Sequence, residues 1–417
     1  MGRIIVNGNK RLYGSISVHG SKNATLPIMA ASLLSKEITV IGNYPDIADV
    51  GAMQEILEYL GCVVYKNKNA IIIDACNAVN RDLPEEITRT LRASSILMGP
   101  LLARFGKVRM ARPGGCDIGT RPLDIHMNAF KALGASWSTS DEWIEAECTR
   151  MHGNDIYLRF PSVGATENAI MAAVGSPGIT VIKNCAREPD IMQLCSYLRA
   201  SGANVQGDGT EQITIAGGIE LEPVSYNISA DRIVAGTYIA AVAACGGEIV
   251  LENCKMSDMQ GFMDVYAGIG VKFYCTGNGV HVIMNDKPVH LNYIETAPFP
   301  GFPTDMQSMT LSVLATAEGT TVMSEKIFEN RYKIVGELKK MGADISVQGR
   351  EACVHGVEKL TGCSVSAGDL RGCAALVIAG LSAKGKTVIY NADYILRGYV
   401  DLCGNLRKLG AQIEWEE

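Results

Sequence analysis

The 417-residue sequence predicts an α/β protein of two domains, each an inside-out barrel in which sheets surround a bundle of buried helices. Three observations predict it. A unit of about seventy residues recurs six times, each unit carries two helix-like stretches of different burial, and each closes on the same turn. The turns read Leu60-Gly61-Cys62, Leu133-Gly134-Ala135, Ser201-Gly202-Ala203, Ile269-Gly270-Val271, Met341-Gly342-Ala343 and Leu409-Gly410-Ala411, with the glycines 68 to 73 residues apart. The strand anchors Val40, Val181, Val250, Val322 and Val388 precede their glycines by 20 to 22 residues. In the second copy Val108 precedes Gly134 by 26, and the surplus falls in Ala111 to Cys116. A repeat sets the scaffold, so chemistry is expected where one copy departs from it.

Within each unit the first helix is apolar nearly all round. Residues 23–34, 92–102, 166–174, 231–245, 305–317 and 369–381 read this way, and such helices belong in the interior. The second helix is amphipathic, as in 46–60, 188–200 and 332–341, with apolar residues at three- and four-residue spacing against a charged face. Two helices of different burial imply an inner and an outer layer with the strands as walls. Polar residues gather where the inner helices begin: Ser21-Lys22-Asn23, Arg89 with Arg92, Ser162, Asp231-Arg232, Thr304-Asp305, and Asp369 with Arg371. Three helix starts per domain direct their positive ends toward one space and favour an anion there. The cleft between the domains is the expected site, and closure around a ligand the expected motion.

The composition bounds the function. A mass of 44.7 kDa exceeds one ordinary core, so two domains of three repeats are the natural division. A net charge of −6 argues against nucleic-acid binding by bulk charge, and an anionic ligand must be held by locally gathered Arg and Lys. Thirteen scattered cysteines without CxxC spacing read as reduced thiols of a cytoplasmic protein. The chain opens directly into the strand Arg3 to Val6 with no leader expected, and no apolar run is long enough to span a bilayer. The histidines lack metal-site spacing, and no GxGxxG, Walker loop or GxSxG elbow appears, so neither a metal nor a cofactor is expected.

The most distinctive segment runs from Arg112 to His126. Gly114 and Gly115 free the backbone before Cys116, and Arg112 and Arg121 could stabilise a thiolate or bind an anion. The bland alternative is a surface loop with an incidental thiol. Lys22 at the start of the first inner helix opposes the helix dipole, so it suits an anion better than it suits stability, unless it is simply solvated. Asp305 begins the fifth inner helix, where an Asp is ordinarily a cap, as Asp231 and Asp369 are expected to be. Arg397 matches Arg187 and Arg331 in the third and fifth repeats, and all three could equally be structural ion-pair partners.

Taken together, these segments resemble the UDP-N-acetylglucosamine 1-carboxyvinyltransferase family of enolpyruvyl transferases over essentially the whole chain. The resemblance rests on Gly20 to Ala24, Leu91 to Ser94, Arg112 to His126, Pro161 to Asn168, Ala186 to Asp190, Pro303 to Gln307, Phe328 to Arg331 and Asp369 to Arg371. It implies the two-domain inside-out barrel, with a first domain of residues 20–229 and a second of 1–19 plus 230–417. The implied reaction moves the enolpyruvyl group of phosphoenolpyruvate to the 3-hydroxyl of UDP-N-acetylglucosamine, releasing phosphate, as the first committed step of peptidoglycan synthesis. By resemblance, Cys116 is the proton donor to carbon and Asp305 the base. Lys22, Asn23, Arg121 and Arg397 hold phosphoenolpyruvate, with Lys22 and Arg397 counted as catalytic. The sugar nucleotide falls to Asn23, Arg92, Arg121, Pro122, Leu123, Asp124, Ile125, Ser162, Val163, Gly164, Asp305 and Ile327. Sensitivity to fosfomycin through Cys116 is implied as well.

This chain departs from the family pattern in three places. Leu396 precedes Arg397 where Asp is usual, Tyr394 stands where His is common, and Ala230 replaces the usual Pro before Asp231. These departures keep two other readings open: transfer to a different nucleotide acceptor, and a regulatory paralogue without turnover. Retention of Lys22, Cys116, Asp305 and Arg397 favours the transferase.

Overall fold

A computed structural model describes residues 2–88, 91–112, 119 and 123–417, with backbone alone at 92 and 93. The chain divides into two compact units, one within Gly20–Ser229 and the other joining the N-terminal residues up to His19 to Ala230–Glu417. All six anchor valines lie in strands: Ile38–Gly42, Lys107–Ala111, Gly178–Lys183, Gly247–Glu252, Thr320–Ser324 and Lys386–Tyr390. Each of these strands heads an antiparallel hairpin on one side, except that Lys386–Tyr390 instead pairs with Arg3–Asn7. On the other side each has a parallel neighbour, which in the second repeat is reduced to the bridge Leu83–Met110. A parallel neighbour requires a crossover, and the inner helix supplies it between Asp155–Tyr157 and Gly178–Lys183, Tyr293–Glu295 and Thr320–Ser324, and Ser364–Ser366 and Lys386–Tyr390.

Two parallel edge strands are exchanged along the chain. Leu12–Ser17 pairs with Gly247–Glu252, and Val224–Asn227 pairs with Ile38–Gly42. The first unit therefore begins after His19 and ends at Ser229, with the Ser21 N–H donating to the Ser229 carbonyl (2.9 Å). Among the described residues each unit holds three sheets. Those of the Gly20–Ser229 unit have four, four and three strands, and those of the other have four each.

The inner helices are Lys22–Ala31, Met98–Phe105 and Val163–Val174 in the first unit, and Arg232–Cys245, Gln307–Leu314 and Leu370–Ser382 in the second. Almost every side chain on them is buried, as their all-round apolarity requires. In the second unit the three inner helices pack on one another, and in the first Met98–Phe105 packs on Val163–Val174. Each unit has its own hydrophobic core.

The closing glycines show why glycine recurs. All six have positive φ, from 90° at Gly61 to 115° at Gly270, a region that side chains disfavour. A second left-handed position follows the anchor strand in four repeats, at Asn43, Asn184, Asn253 and Asn391, with φ of 53–65°. Each of these asparagines spans to the parallel strand: Asn43 donates to the Ile228 carbonyl, Asn184 to the Leu158 carbonyl, Asn253 to Ser17 Oγ and Asn391 to Ser366 Oγ, at 2.6–2.8 Å. The second and fifth repeats place Arg112 and Glu325 there instead. In the same two repeats the inner helix begins as a 3-10 turn, at Arg92–Leu97 and Thr304–Met306.

Candidate active site

In the Gly20–Ser229 unit, Ser21 caps the first inner helix, accepting from the Ala24 N–H, and donates its own hydroxyl to Asp190 Oδ1 (2.6 Å). Lys22 follows, with its Nζ 3.3 Å from Asp49 Oδ2. Its side chain is only 14% exposed, so the solvated reading of Lys22 does not hold. Asp49 and Asp190 each sit in the first turn of an outer helix, Ala48–Tyr59 and Pro189–Ala200, where an anion is favoured. They offset the positive charge that Lys22 adds to a helix N-terminus. Asn23 is half-buried beside it on the same turn.

A second group lies on two helix starts of the same unit. Ser162 caps Val163–Val174, with Val163 and Gly164 in its first turn. Leu123 precedes Asp124–Ala132, and Ile125 is buried. Asp124 pairs with Arg159 through Oδ2, while its Oδ1 is buried with no hydrogen-bond partner among the described residues. The two helix starts are tied by Asn168 and His126. Asn168 donates to the Gly164 and Ser95 carbonyls, accepts from the Gly99 N–H, and meets His126 Nδ1 at 3.0 Å. A Cβ on Gly164 would come within 3.3 Å of the His126 ring, a tight contact, so the helix start lies close against the imidazole. Burial pushes His126 down to about 4, opposed weakly by the Asp124 charge, so the ring is neutral. On Val163–Val174, burial raises the Glu167 carboxyl well above the usual range, reinforced by the Asp190 and Glu188 charges.

In the other unit Asp305 is the focus. Asp231 and Asp369 do cap their helices, each accepting from two backbone N–H groups. Asp305 differs: it lies inside the 3-10 turn, and its carboxylate is gripped by two arginines. Arg331 Nη2 donates to Oδ1 at 2.6 Å and Arg371 Nη2 to Oδ2 at 3.0 Å. Both arginine side chains are almost completely buried, whereas Asp305 remains 27% exposed. The carboxylate is thus aimed outward by cations set behind it. Burial disfavours the Arg371 charge, but Asp305, Tyr399 and Asp231 outweigh it and raise its pKa. Ile327 is half-buried, with its N–H donating to Glu325 Oε1 (2.8 Å). Arg397 ends the 3-10 helix Ala392–Arg397 and is half-buried, directly after the exposed Leu396.

Cys116, Arg121 and Pro122 lie outside the described residues, as does the side chain of Arg92. One repeat match needs correction. Arg331 and Arg397 both lie six residues beyond the residue that follows their anchor strand, but Arg187 lies three beyond, loosely placed 3.8 Å from Glu211. Asp190 holds the six-residue place in the third repeat and Asp49 in the first. Sequence reasoning passed over Asp49 as a partner of Lys22; aligning the repeats on the asparagine after the strand would have found it.

The model of the EPSP synthase (3-phosphoshikimate 1-carboxyvinyltransferase) family matches residues 6–415. The fold agrees with solved structures across the full chain. The enolpyruvyl transferase NikO from Streptomyces tendae superposes with a TM-score of 0.88 at 24% identity, covering 100% of this chain and 99% of that one. EPSP synthase from Acinetobacter baumannii superposes at 0.75 and 16% identity, covering 100% of each. The class is therefore that of the carboxyvinyltransferases. Among curated relatives, UDP-N-acetylglucosamine 1-carboxyvinyltransferase 2 of Caldanaerobacter subterraneus is 45% identical over 99% of each chain. UDP-N-acetylglucosamine 1-carboxyvinyltransferase 1 of Halalkalibacterium halodurans is 44% identical, covering 99% of this chain and 94% of its own. The chain belongs to the UDP-N-acetylglucosamine 1-carboxyvinyltransferase family.

Proposed function

We propose that the protein transfers the 1-carboxyvinyl group of phosphoenolpyruvate to the 3-hydroxyl of UDP-N-acetylglucosamine, releasing inorganic phosphate for peptidoglycan synthesis in the cytoplasm. The observation that carries this reading is Asp305, partly exposed and held at both oxygens by buried arginines, in a chain 45% identical to a UDP-N-acetylglucosamine 1-carboxyvinyltransferase.

In this reading the Cys116 thiol donates a proton to the methylene carbon of phosphoenolpyruvate, leaving a cationic centre at C2. The sugar 3-hydroxyl adds there as Asp305 Oδ takes its proton. Loss of a proton from the new methyl group and departure of phosphate then restore the double bond, so the vinyl group leaves as it arrived. Lys22, Asn23, Arg121 and Arg397 hold the phosphate and carboxylate. Lys22 suits this role because Asp49 holds its mostly buried ammonium at the helix start.

The sugar nucleotide is assigned to Asn23, Arg92, Arg121, Pro122, Leu123, Asp124, Ile125, Ser162, Val163, Gly164, Asp305 and Ile327. Support comes from two helix starts linked through Asn168 and His126, one of them capped by Ser162, and from Asp124 Oδ1, which has no partner among the described residues and can accept a ligand N–H. No described helix is long and apolar enough to cross a membrane, and every described cysteine is a free thiol. A competition assay tests the acceptor: with labelled phosphoenolpyruvate, UDP-N-acetylglucosamine and UMP present together, only the sugar nucleotide should gain the label. Labelled UMP would overturn the acceptor assignment.

A further inference from the structure

Glu325 occupies the place that asparagine fills in four other repeats, and its chemistry differs. Those asparagines each span to a parallel strand through one side-chain amide. Glu325 does the same strand-tying through Oε1, which accepts from the Thr296 hydroxyl (2.8 Å) and from the Ile327 and Phe328 N–H groups (2.8 and 3.1 Å). Its second oxygen makes a further contact. Oε2 accepts from the Thr304 hydroxyl at 2.9 Å, the residue before Asp305. A fully buried carboxylate is an expensive way to join two strands, since the shorter neutral amide suffices elsewhere in this chain.

The extra oxygen sets a direction along a chain of hydrogen bonds. Thr304 has a single hydroxyl proton, and giving it to Glu325 leaves only lone pairs facing away. Arg331 Nε donates to that oxygen at 3.2 Å, and Arg331 Nη2 donates onward to Asp305 Oδ1. The same turn sets Phe328 with the Arg331 guanidinium carbon 5.4 Å from its ring centroid. An ionised carboxylate only accepts, so it enforces this polarity; an amide would face Thr304 with either oxygen or NH₂.

We infer that Glu325 is a positioning residue for removal of the acceptor hydroxyl's proton, fixing Asp305 through Thr304 and Arg331 while ordering the Ile327 segment. This rests on the reading of Asp305 as base.

Steady-state kinetics of Glu325→Gln, Thr304→Val, the double variant and Thr304→Ser test it, with circular dichroism and melting as checks on folding. Glu325→Gln and Thr304→Val should each lower kcat by about tenfold or more, through a base held out of line. The double variant should be no worse than the poorer single, because both break one chain. Thr304→Ser, which keeps the hydroxyl, should restore most of the turnover. The acidic limb of the kcat–pH profile should move to higher pH in both damaged variants, as the Arg331 hold on Asp305 loosens. Folded variants with wild-type kcat and pH profile, or losses that multiply in the double variant, would overturn the proposal. If Glu325→Gln does not fold, the Thr304 pair tests the same chain. Asp305→Asn separates the two levels: retained turnover there would remove the base assignment and the inference with it. Collapse there beside an unchanged Glu325→Gln would remove the inference alone.

Discussion

Asp305, Lys22 and His126 are each held by partners distant in sequence, and each responds to its surroundings in a different way. His126 is buried and neutral at about 4, against a usual value near 6.5. Its depressed pKa makes the unfolded chain the better proton acceptor between those values. This contribution to stability is therefore complete above pH 6.5 and lost as pH falls toward 4, by up to roughly 3 kcal/mol. Urea unfolding of wild type and His126→Asn across that range should show the wild type losing stability more steeply. Parallel curves would refute the buried neutral imidazole. Leu396 is 44% exposed immediately before Arg397, where the family usually has Asp. Leu396→Asp should raise kcat about two- to fivefold, the worth of one exposed ion pair steadying Arg397. An unchanged kcat would show that the replacement is neutral.

At the scale of elements, the six-fold unit was open to reading because its signals are local. The closing glycine must adopt positive φ, and the inner helix must be apolar on all faces, so both leave marks in consecutive residues. The starts of two inner helices were harder to read. Residues 305–317 read as one helix, but Thr304–Met306 is a 3-10 turn and the α-helix is Gln307–Leu314. That rewinding accompanies the two arginines on Asp305, which come from 26 and 66 residues away, and sequence periodicity carries no trace of such pairs. The capping reading was right for Asp231 and Asp369 and wrong for Asp305 for the same reason. A helix cap contributes to stability. Asp401 caps Leu402–Lys408, accepting from the Gly404 N–H at 2.7 Å. Asp401→Ala should cost about 1 kcal/mol in thermal or urea unfolding.

For the molecule as a whole, two separate cores each enclose three inner helices. Leu376 is fully buried on Leu370–Ser382, which packs against Arg232–Cys245 and Gln307–Leu314. Leu376→Ala should destabilise by about 2–5 kcal/mol through the cavity it leaves. Amide exchange should quicken first in those three helices, and equal quickening in Met98–Phe105 would contradict separate cores. The family resemblance joined motifs spread along nearly the whole chain, which no single core or helix pattern could have done. The reaction, by contrast, depends on which side chains meet, and Glu325 became visible only once its four donors were placed around it.

The most direct test of the central claim is phosphate release from phosphoenolpyruvate, with and without UDP-N-acetylglucosamine, for wild type and Cys116→Ala. Release that requires the sugar nucleotide and collapses in the variant is the expected result. Tight binding of the sugar nucleotide with no phosphate released by wild type would contradict the transferase reading and favour a regulatory paralogue.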